Sequence, residues 1–230
     1  MGKLAVIGTF YKRYERTDML LRRVLVESTR PPDEFLMVCE EEADAELAFE
    51  WARRHENLII KILPTPRTPS GGYSIVPYSN KINWALDNTT CDYIVYLDNN
   101  SMPHPEKYRL MSEALDEHPE WGAVFCSQYR SGYRNVKVLY EVPIPDAFCV
   151  LNYTQVMHRI TGDRWSLDMA HADPQDLVDA RFWRDLHATY RTAPREGTYE
   201  SVDSGAFHPV LLGEEMLDEH YMESMKAAGI

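Results

Sequence analysis

The sequence predicts an α/β domain: a mostly parallel sheet with helices on both faces and a more irregular C-terminal third. Two observations carry this. The strand-like runs of the first half are apolar throughout rather than alternating, as strands buried on both faces are. They are separated by helical patterns of roughly 10–15 residues, the spacing of β-α-β units.

Element by element, Leu4 to Thr9 reads as a buried strand. Thr17 is placed to cap a helix whose apolar positions Leu20, Leu21, Val24 and Leu25 recur until Pro31-Pro32 ends it. Phe35 to Cys39 is a second apolar run, too short for a helix, and Ala43 to His55 carries Leu47, Ala48, Trp51 and Ala52 on one helical face. Leu58 to Leu63 gives a third strand, and Ser79 is placed to cap a helix bearing Ile82, Ala85 and Leu86. Asp92 to Leu97 is a fourth strand, Pro105 opens a helix through Leu110, Ala114 and Leu115 to Pro119, and Ala123 to Cys126 is a fifth strand. Beyond it, Val136–Tyr140 and Phe148–Leu151 look like strands, and helical patterns fall near 153–160, 174–190 and 213–228. No repeat and no linker divides the chain, so residues 1–230 are expected to form one domain.

A chain of 230 residues and 26.7 kDa can bury roughly 70% of its unfolded surface and needs no disulfide or metal to fold. Its net charge of −12, from 36 acidic against 24 basic residues, argues against a strong non-specific grip on nucleic acid or anionic lipid. No window approaches the ~20 apolar residues of a membrane span, and the opening Met1 to Gly8 does not read as a signal peptide. Cys39, Cys91, Cys126 and Cys149 form no C-x-x-C pair, which fits buried, reduced thiols and a cytoplasmic location.

Three stretches bear chemistry at expected strand ends, where ligands of parallel sheets bind. Asp98-Asn99-Asn100-Ser101 follows an apolar strand directly. Its oxygen donors suit Mg2+ or Mn2+, and its residue types suit a turn equally well. Glu40-Glu41-Glu42 closes the second strand. Glu42 and Asp44 fit the dipole of the next helix, whereas Glu40 is free to accept a hydrogen bond from a ligand. Thr9-Phe10-Tyr11-Lys12-Arg13 ends the first strand with an aromatic pair and two cations, suited to a base and a phosphate. Between Leu63 and Ser79 lies a Pro- and Gly-rich loop with Arg67 and Tyr73, of a length found in functional loops and in plain surface loops.

Taken in order, these pieces resemble family 2-type glycosyltransferases. Val6-Ile7-Gly8-Thr9-Phe10-Tyr11-Lys12-Arg13 is similar to their opening "V-I-P-T-Y-N-R" strand, with Gly8 for Pro and Tyr11 for Asn. Phe35 to Asp44 is similar to the second strand ending in "V-D-D-x-S-x-D", and Ser79 to Leu86 to the helix "x-x-x-x-N-x-A-L". Asp92 through Tyr108 follows "D-Y-I-x-x-L-D-x-D-x-x-x-P-x-x-L" in order and spacing.

The resemblance implies a GT-A, Rossmann-like fold, with residues 1–127 as the nucleotide-sugar half and 128–230 as the acceptor and catalytic-base half. It implies a UDP- or GDP-linked sugar at Thr9, Phe10, Tyr11, Arg13, Glu40, Lys81, Asn83, Asp98 and Asn99. Mn2+ or Mg2+ would sit at Asp98 and Asn100, with His208 as a late extra ligand. Asn100 stands where the family has a second aspartate, and a neutral amide holds a cation less strongly. Val178 to Leu186 resembles the family's "E-D-W-D-L-W-L-R-L" segment, which implies Asp179 as the catalytic base, with Asp173 and Asp176 as rivals. The acceptor is unknown, and its site would come from the C-terminal third, the 64–78 loop or a second subunit of a homodimer. Two alternatives stand beside transfer. One is a nucleotide-sugar-binding protein that lost the chemistry. The other is a nucleotidyltransferase, although Gly8-Thr9-Phe10-Tyr11 replaces the Gly-rich basic loop expected there.

Overall fold

The computed structural model describes residues 1–10, 14–64, 75–98, 101–119, 121–130, 137–138, 153–165, 182 and 207–216. In chain order these form β1 (Leu4–Phe10), α1 (Tyr14–Arg22, continued by a wide turn over Arg23–Glu27), β2 (Glu34–Cys39), α2 (Glu42–Ala52) and β3 (Leu58–Ile62). There follow α3 (Ile75–Asn88), β4 (Tyr93–Asp98), β5 (Ser101–Met102), α4 (Lys107–Glu117) and β6 (Ala123–Arg130). The remainder is β7 (Lys137–Val138), β8 (Val156–Arg159) and β9 (Phe207–Met216).

All nine strands share one sheet in the order β3-β2-β1-β4-β8-β6-β9-β5, with β7 beside β6. The first four are parallel. β8 is antiparallel to both of its neighbours, while β6 and β9 run parallel to one another. Alternate residues of each apolar run are buried on opposite faces. Val6, Phe35, Met37, Val95 and Leu97 pack against α1, α2 and α4, whereas Ala5, Ile7, Leu36, Val38, Ile94 and Tyr96 face Ile82, Ala85 and Leu86 of α3. Burying each large apolar side chain contributes roughly 1.5–3 kcal/mol, which is why these runs read so clearly. At the amino edge, carboxylates tie the strand starts together. Asp33 accepts from the Leu4 amide at 2.8 Å and Asp92 from the Lys3 amide at 2.7 Å.

Several boundaries depart from expectation. Helix α1 starts at Tyr14 and α3 at Ile75, so Thr17 and Ser79 are buried inside helices instead of capping them. Residues 153–160, expected to be helical, are a short 3-10 turn followed by β8. The cause is tertiary: β8 fills the gap between β4 and β6, with Met157 on one face of the sheet and Val156 on the other. Residues 213–216, also expected to be helical, extend β9. The expected strand at 148–151, all but Phe182 of the helix at 174–190, and residues 217–228 lie outside the described residues.

The α3 face carries a closed hydrogen-bond chain beneath the end of β4. His158 Nδ1 lies 2.7 Å from the Arg159 carbonyl, which only accepts, so Nδ1 holds the ring proton. Nε2 is then the acceptor for the Tyr96 hydroxyl at 2.9 Å, and that hydroxyl accepts from Trp165 Nε1 at 3.3 Å. Every role requires neutral His158. Burial pushes its pKa down from 6.5 to about 4.

Two predictions follow from this packing. A Cβ on Gly8 would stand 2.6 Å from the Phe10 ring and 2.8 Å from the Phe35 ring, so Gly8→Ala should cost about 1–3 kcal/mol in urea unfolding. Much of that cost should be recovered by adding Phe10→Leu. Separately, the unfolded chain takes up a proton near pH 6.5 and the fold only near 4. Stability should therefore fall by about 3 kcal/mol between those values, and urea midpoints of His158→Gln should lack that component.

Candidate functional site

Connections β1-α1-β2 and β2-α2-β3 run toward one sheet edge with their helices on one face, and the α3 crossover then carries the chain back to β4 on the other side of β1. The strand order therefore reverses between β1 and β4, and the crevice beyond the carboxyl ends of such a pair is where open α/β sheets bind ligands. Thr9 pairs with Asp98 across this point and with Val38 on its other side. Both Thr9 and Asp98 are partly exposed. Alternation from Ala5-Ile7 and Ile94-Tyr96, which belong to the α3 side, puts Thr9 and Asp98 on that same face.

Glu40, the residue after β2, comes to this face through α3. Lys81 Nζ lies 3.0 Å from Glu40 Oε2, with side chains only 6% and 16% exposed. A lysine this deep is held there by its partner, because an unpaired buried ammonium is costly. The pair fixes α3 against the end of β2 and leaves the edge carrying a carboxylate and a cation side by side.

Other expected site residues serve different ends. Asn83 donates Nδ2–H to the Trp165 carbonyl and accepts the Trp165 amide at Oδ1, both at 2.8 Å, so its amide holds the chain near residue 165. Phe10 is 1% exposed and packs at 6.4 Å from Phe35 in the core of the opposite face, away from Thr9 and Asp98. His208 pairs with Val124, which is level with Met157 and Val95. Its backbone therefore sits at mid-strand height three strands from β4, and the register does not bring it to Asp98. Tyr11, Arg13, Asn99, Asn100 and Asp179 lie outside the described residues, as do Lys12, Arg67, Asp173 and Asp176.

Sequence reasoning missed the partner of Lys81 and the aromatic group beneath Asp98. Phe182 stacks on Trp165 at 4.8 Å and meets Tyr96 edge-on at 6.4 Å. Tyr96 shares a strand face with Asp98, a relation the period of two would have given.

Among the described residues, no three His, Cys, Asp or Glu side chains are grouped to hold a metal. Asp98 supplies one hard oxygen donor at the reversal point. One or two carboxylates completed by phosphate oxygens and water is the usual holding of Mg2+ with a nucleotide, so Asp98 fits a cation that arrives with its ligand.

No protein-family model matches the chain. Protein CgeD of Bacillus subtilis (strain 168) is 26% identical over 160 residues, covering 59% of this chain and 36% of CgeD. The chain thus spans about a third of the length of that curated relative. Among solved structures, residues 1–349 of S. aureus TarS superpose with a TM-score of 0.65 at 17% identity, covering 98% of this chain and 64% of that one. TarS is also solved in complex with UDP. The mannosyltransferase PcManGT from Pyrobaculum calidifontis, in complex with GDP-Man and Mn2+, gives a TM-score of 0.60 at 14% identity over 93% of this chain and 56% of its own. Glucosyl-3-phosphoglycerate synthase from Mycobacterium tuberculosis, with Mn2+ and UDP, gives 0.54 at 15% identity over 92% and 70%. Strand order, the reversal between β1 and β4 and these superpositions agree: the chain has the GT-A fold that these glycosyltransferases share.

Proposed function

We propose that the chain transfers a sugar from a nucleotide-diphosphate donor, UDP- or GDP-linked, to an acceptor nucleophile. The observation that carries this reading is the pairing of Thr9 with Asp98 at the strand-order reversal, with the Glu40–Lys81 pair on the same face. The solved structures of this fold that hold UDP, or GDP-Man with Mn2+, support it.

In this reading Thr9, Tyr11 and Glu40 line the nucleoside, and Glu40 is aimed by its contact with Lys81. Asp98, with Asn100, would hold Mn2+ or Mg2+. When bound, the ion supplies positive charge to the departing diphosphate. Lys12, Arg13 and Arg67 are the cations of this chain available to offset the same charge. Asp179 removes the acceptor's proton as its oxygen or nitrogen attacks the anomeric carbon in line, inverting it. Asp173 and Asp176 are the alternative bases. Residues 1–127 serve the donor, and 128–230 the base and the acceptor, to which a second subunit contributes if the chain pairs. The buried thiols of Cys39, Cys91 and Cys126 suit a reaction in the cytoplasm.

Asn100 at the second metal position favours one other reading, nucleotide-sugar binding without transfer, because an amide weakens the cation site.

A thermal-shift panel of UDP, GDP, CDP, TDP and ADP with and without Mn2+ tests the donor class. A nucleotide at about 100 times its Kd stabilises the fold by about 2.7 kcal/mol, and one nucleotide should give a clear, Mn2+-dependent shift. No shift with any of them would remove the proposal. Asp98→Ala should abolish the Mn2+-dependent part of the shift. Asp179→Asn should keep the nucleotide shift and lower donor turnover about 100-fold or more; undiminished turnover would eliminate Asp179 as the base.

A further inference from the structure

Lys107 is the first residue of α4, and none of it reaches solvent: it is 0% exposed. Its Nζ donates to the Thr154 carbonyl at 2.6 Å, and Thr154 is equally buried. Two costs meet at this residue. A buried ammonium loses its hydration, and a cation in the first turn of a helix opposes the helix dipole. A neutral donor would hold the same carbonyl without either cost. What the lysine adds over such a donor is its charge.

That charge stands beside the end of β4. β8 runs antiparallel to β4, with Val95 paired to Met157. Thr154 lies three residues before Met157, and Asp98 three residues after Val95, so the short turn Tyr153–Gln155 is carried toward the Asp98 end of the strand. The Tyr153 ring accordingly meets that of Tyr96 at 6.2 Å. Neighbouring strands lie about 5 Å apart, which with the 2.6 Å bond puts Nζ about 10 Å from the Asp98 backbone. Two unit charges at about that separation near a protein surface interact by an amount worth about tenfold in an equilibrium constant.

We propose that Lys107 is a fixed positive charge built into the donor site, and that it makes part of the diphosphate binding beside Asp98 independent of metal. This rests on the proposed donor site. Lys107 is buried and touches no ligand; it acts through space. It attracts the diphosphate and repels a divalent cation at Asp98, so its presence lowers the share of the binding that Mn2+ supplies. The sequence at the second metal position accords with this, because Asn100 brings no carboxylate to strengthen the hold on a cation.

The test is calorimetry of UDP and GDP on wild type and Lys107→Met, once in EDTA and once with Mn2+. Lys107→Met should weaken binding in EDTA about tenfold. The Mn2+ enhancement, the ratio of the two dissociation constants, should rise threefold or more. A merely structural role would weaken both conditions by the same factor and leave that ratio unmoved, and this result would overturn the proposal. So would a folded Lys107→Met protein whose Kd in EDTA stays within twofold of wild type. A wild type that binds nucleotide only with Mn2+ overturns it as well, since the built-in charge would then contribute nothing by itself. If Lys107→Met does not fold, Lys107→Gln keeps an N–H donor and drops the charge, and the same pair of changes is expected. A wild-type chain that binds neither nucleotide in either condition removes the donor site itself and this role with it, an outcome distinct from a change confined to the variants.

Discussion

Everything at the candidate site depends on the register of β1 against β4. Ladder pairing matches Leu4 with Tyr93 at one end and Thr9 with Asp98 at the other. Because side chains alternate, a slip of one residue would turn Asp98 away from α3 and bury Leu97 beside Thr9 on the wrong face. Register is held from both ends of the strand. The carboxylates of Asp33 and Asp92 take the backbone amides of Leu4 and Lys3. The ring of Phe10 folds back over Gly8 onto Phe35, locking the last turn of the ladder into the core of the α1 face. Gly8 is the residue that lets it do so, which gives a steric reason for glycine where similar strands have proline.

On the opposite face the same strand ends are braced by polar groups. The Glu40–Lys81 pair, the Asn83 clamp on Trp165 and the Tyr96–His158 bond each bury groups that would be costly if left alone. The first two share α3, which carries Lys81 and Asn83 within one turn, while the third ties β4 to β8. A helix fixed in this way holds a carboxylate at the end of β2 at a set height relative to Asp98. Preorganisation of that kind lowers the ordering cost of binding at this edge.

Much of this was legible in the sequence, for a physical reason. Strands buried on both faces are apolar at nearly every position, so β1, β2, β4 and the start of β6 announce themselves. The edge strand β3, with its exposed Ile59 and half-buried Lys61, is read from the run Leu58-Ile59-Ile60. The strand-end residues Thr9, Glu40 and Asp98 follow from where the buried runs stop. What could not be read depends on distant partners. Val156–Arg159 is four residues of mixed character, and only the gap between β4 and β6 makes it a strand. Thr17 and Ser79 have the chemistry of caps, yet each helix begins earlier because tertiary packing outweighs a capping preference. Phe10 looks like a ligand-stacking aromatic until alternation and Phe35 assign it to the core. His208 looked apt beside a metal only while its register was unknown.

The antiparallel insertion of β8 has a consequence for how the chain is assembled. β4 and β6 never touch along a ladder; each reaches the other only through Val156–Arg159. During synthesis the four-stranded parallel sheet can close early, from contacts that are near in sequence. The far side of β4, with the apolar run Tyr93–Leu97, then stays open as an unsatisfied edge until β8 leaves the ribosome. Open apolar edges recruit other strands. The stage at which β4 is outside the ribosome and β8 is not is therefore the one at which the nascent chain is most prone to self-association and most in need of chaperone protection.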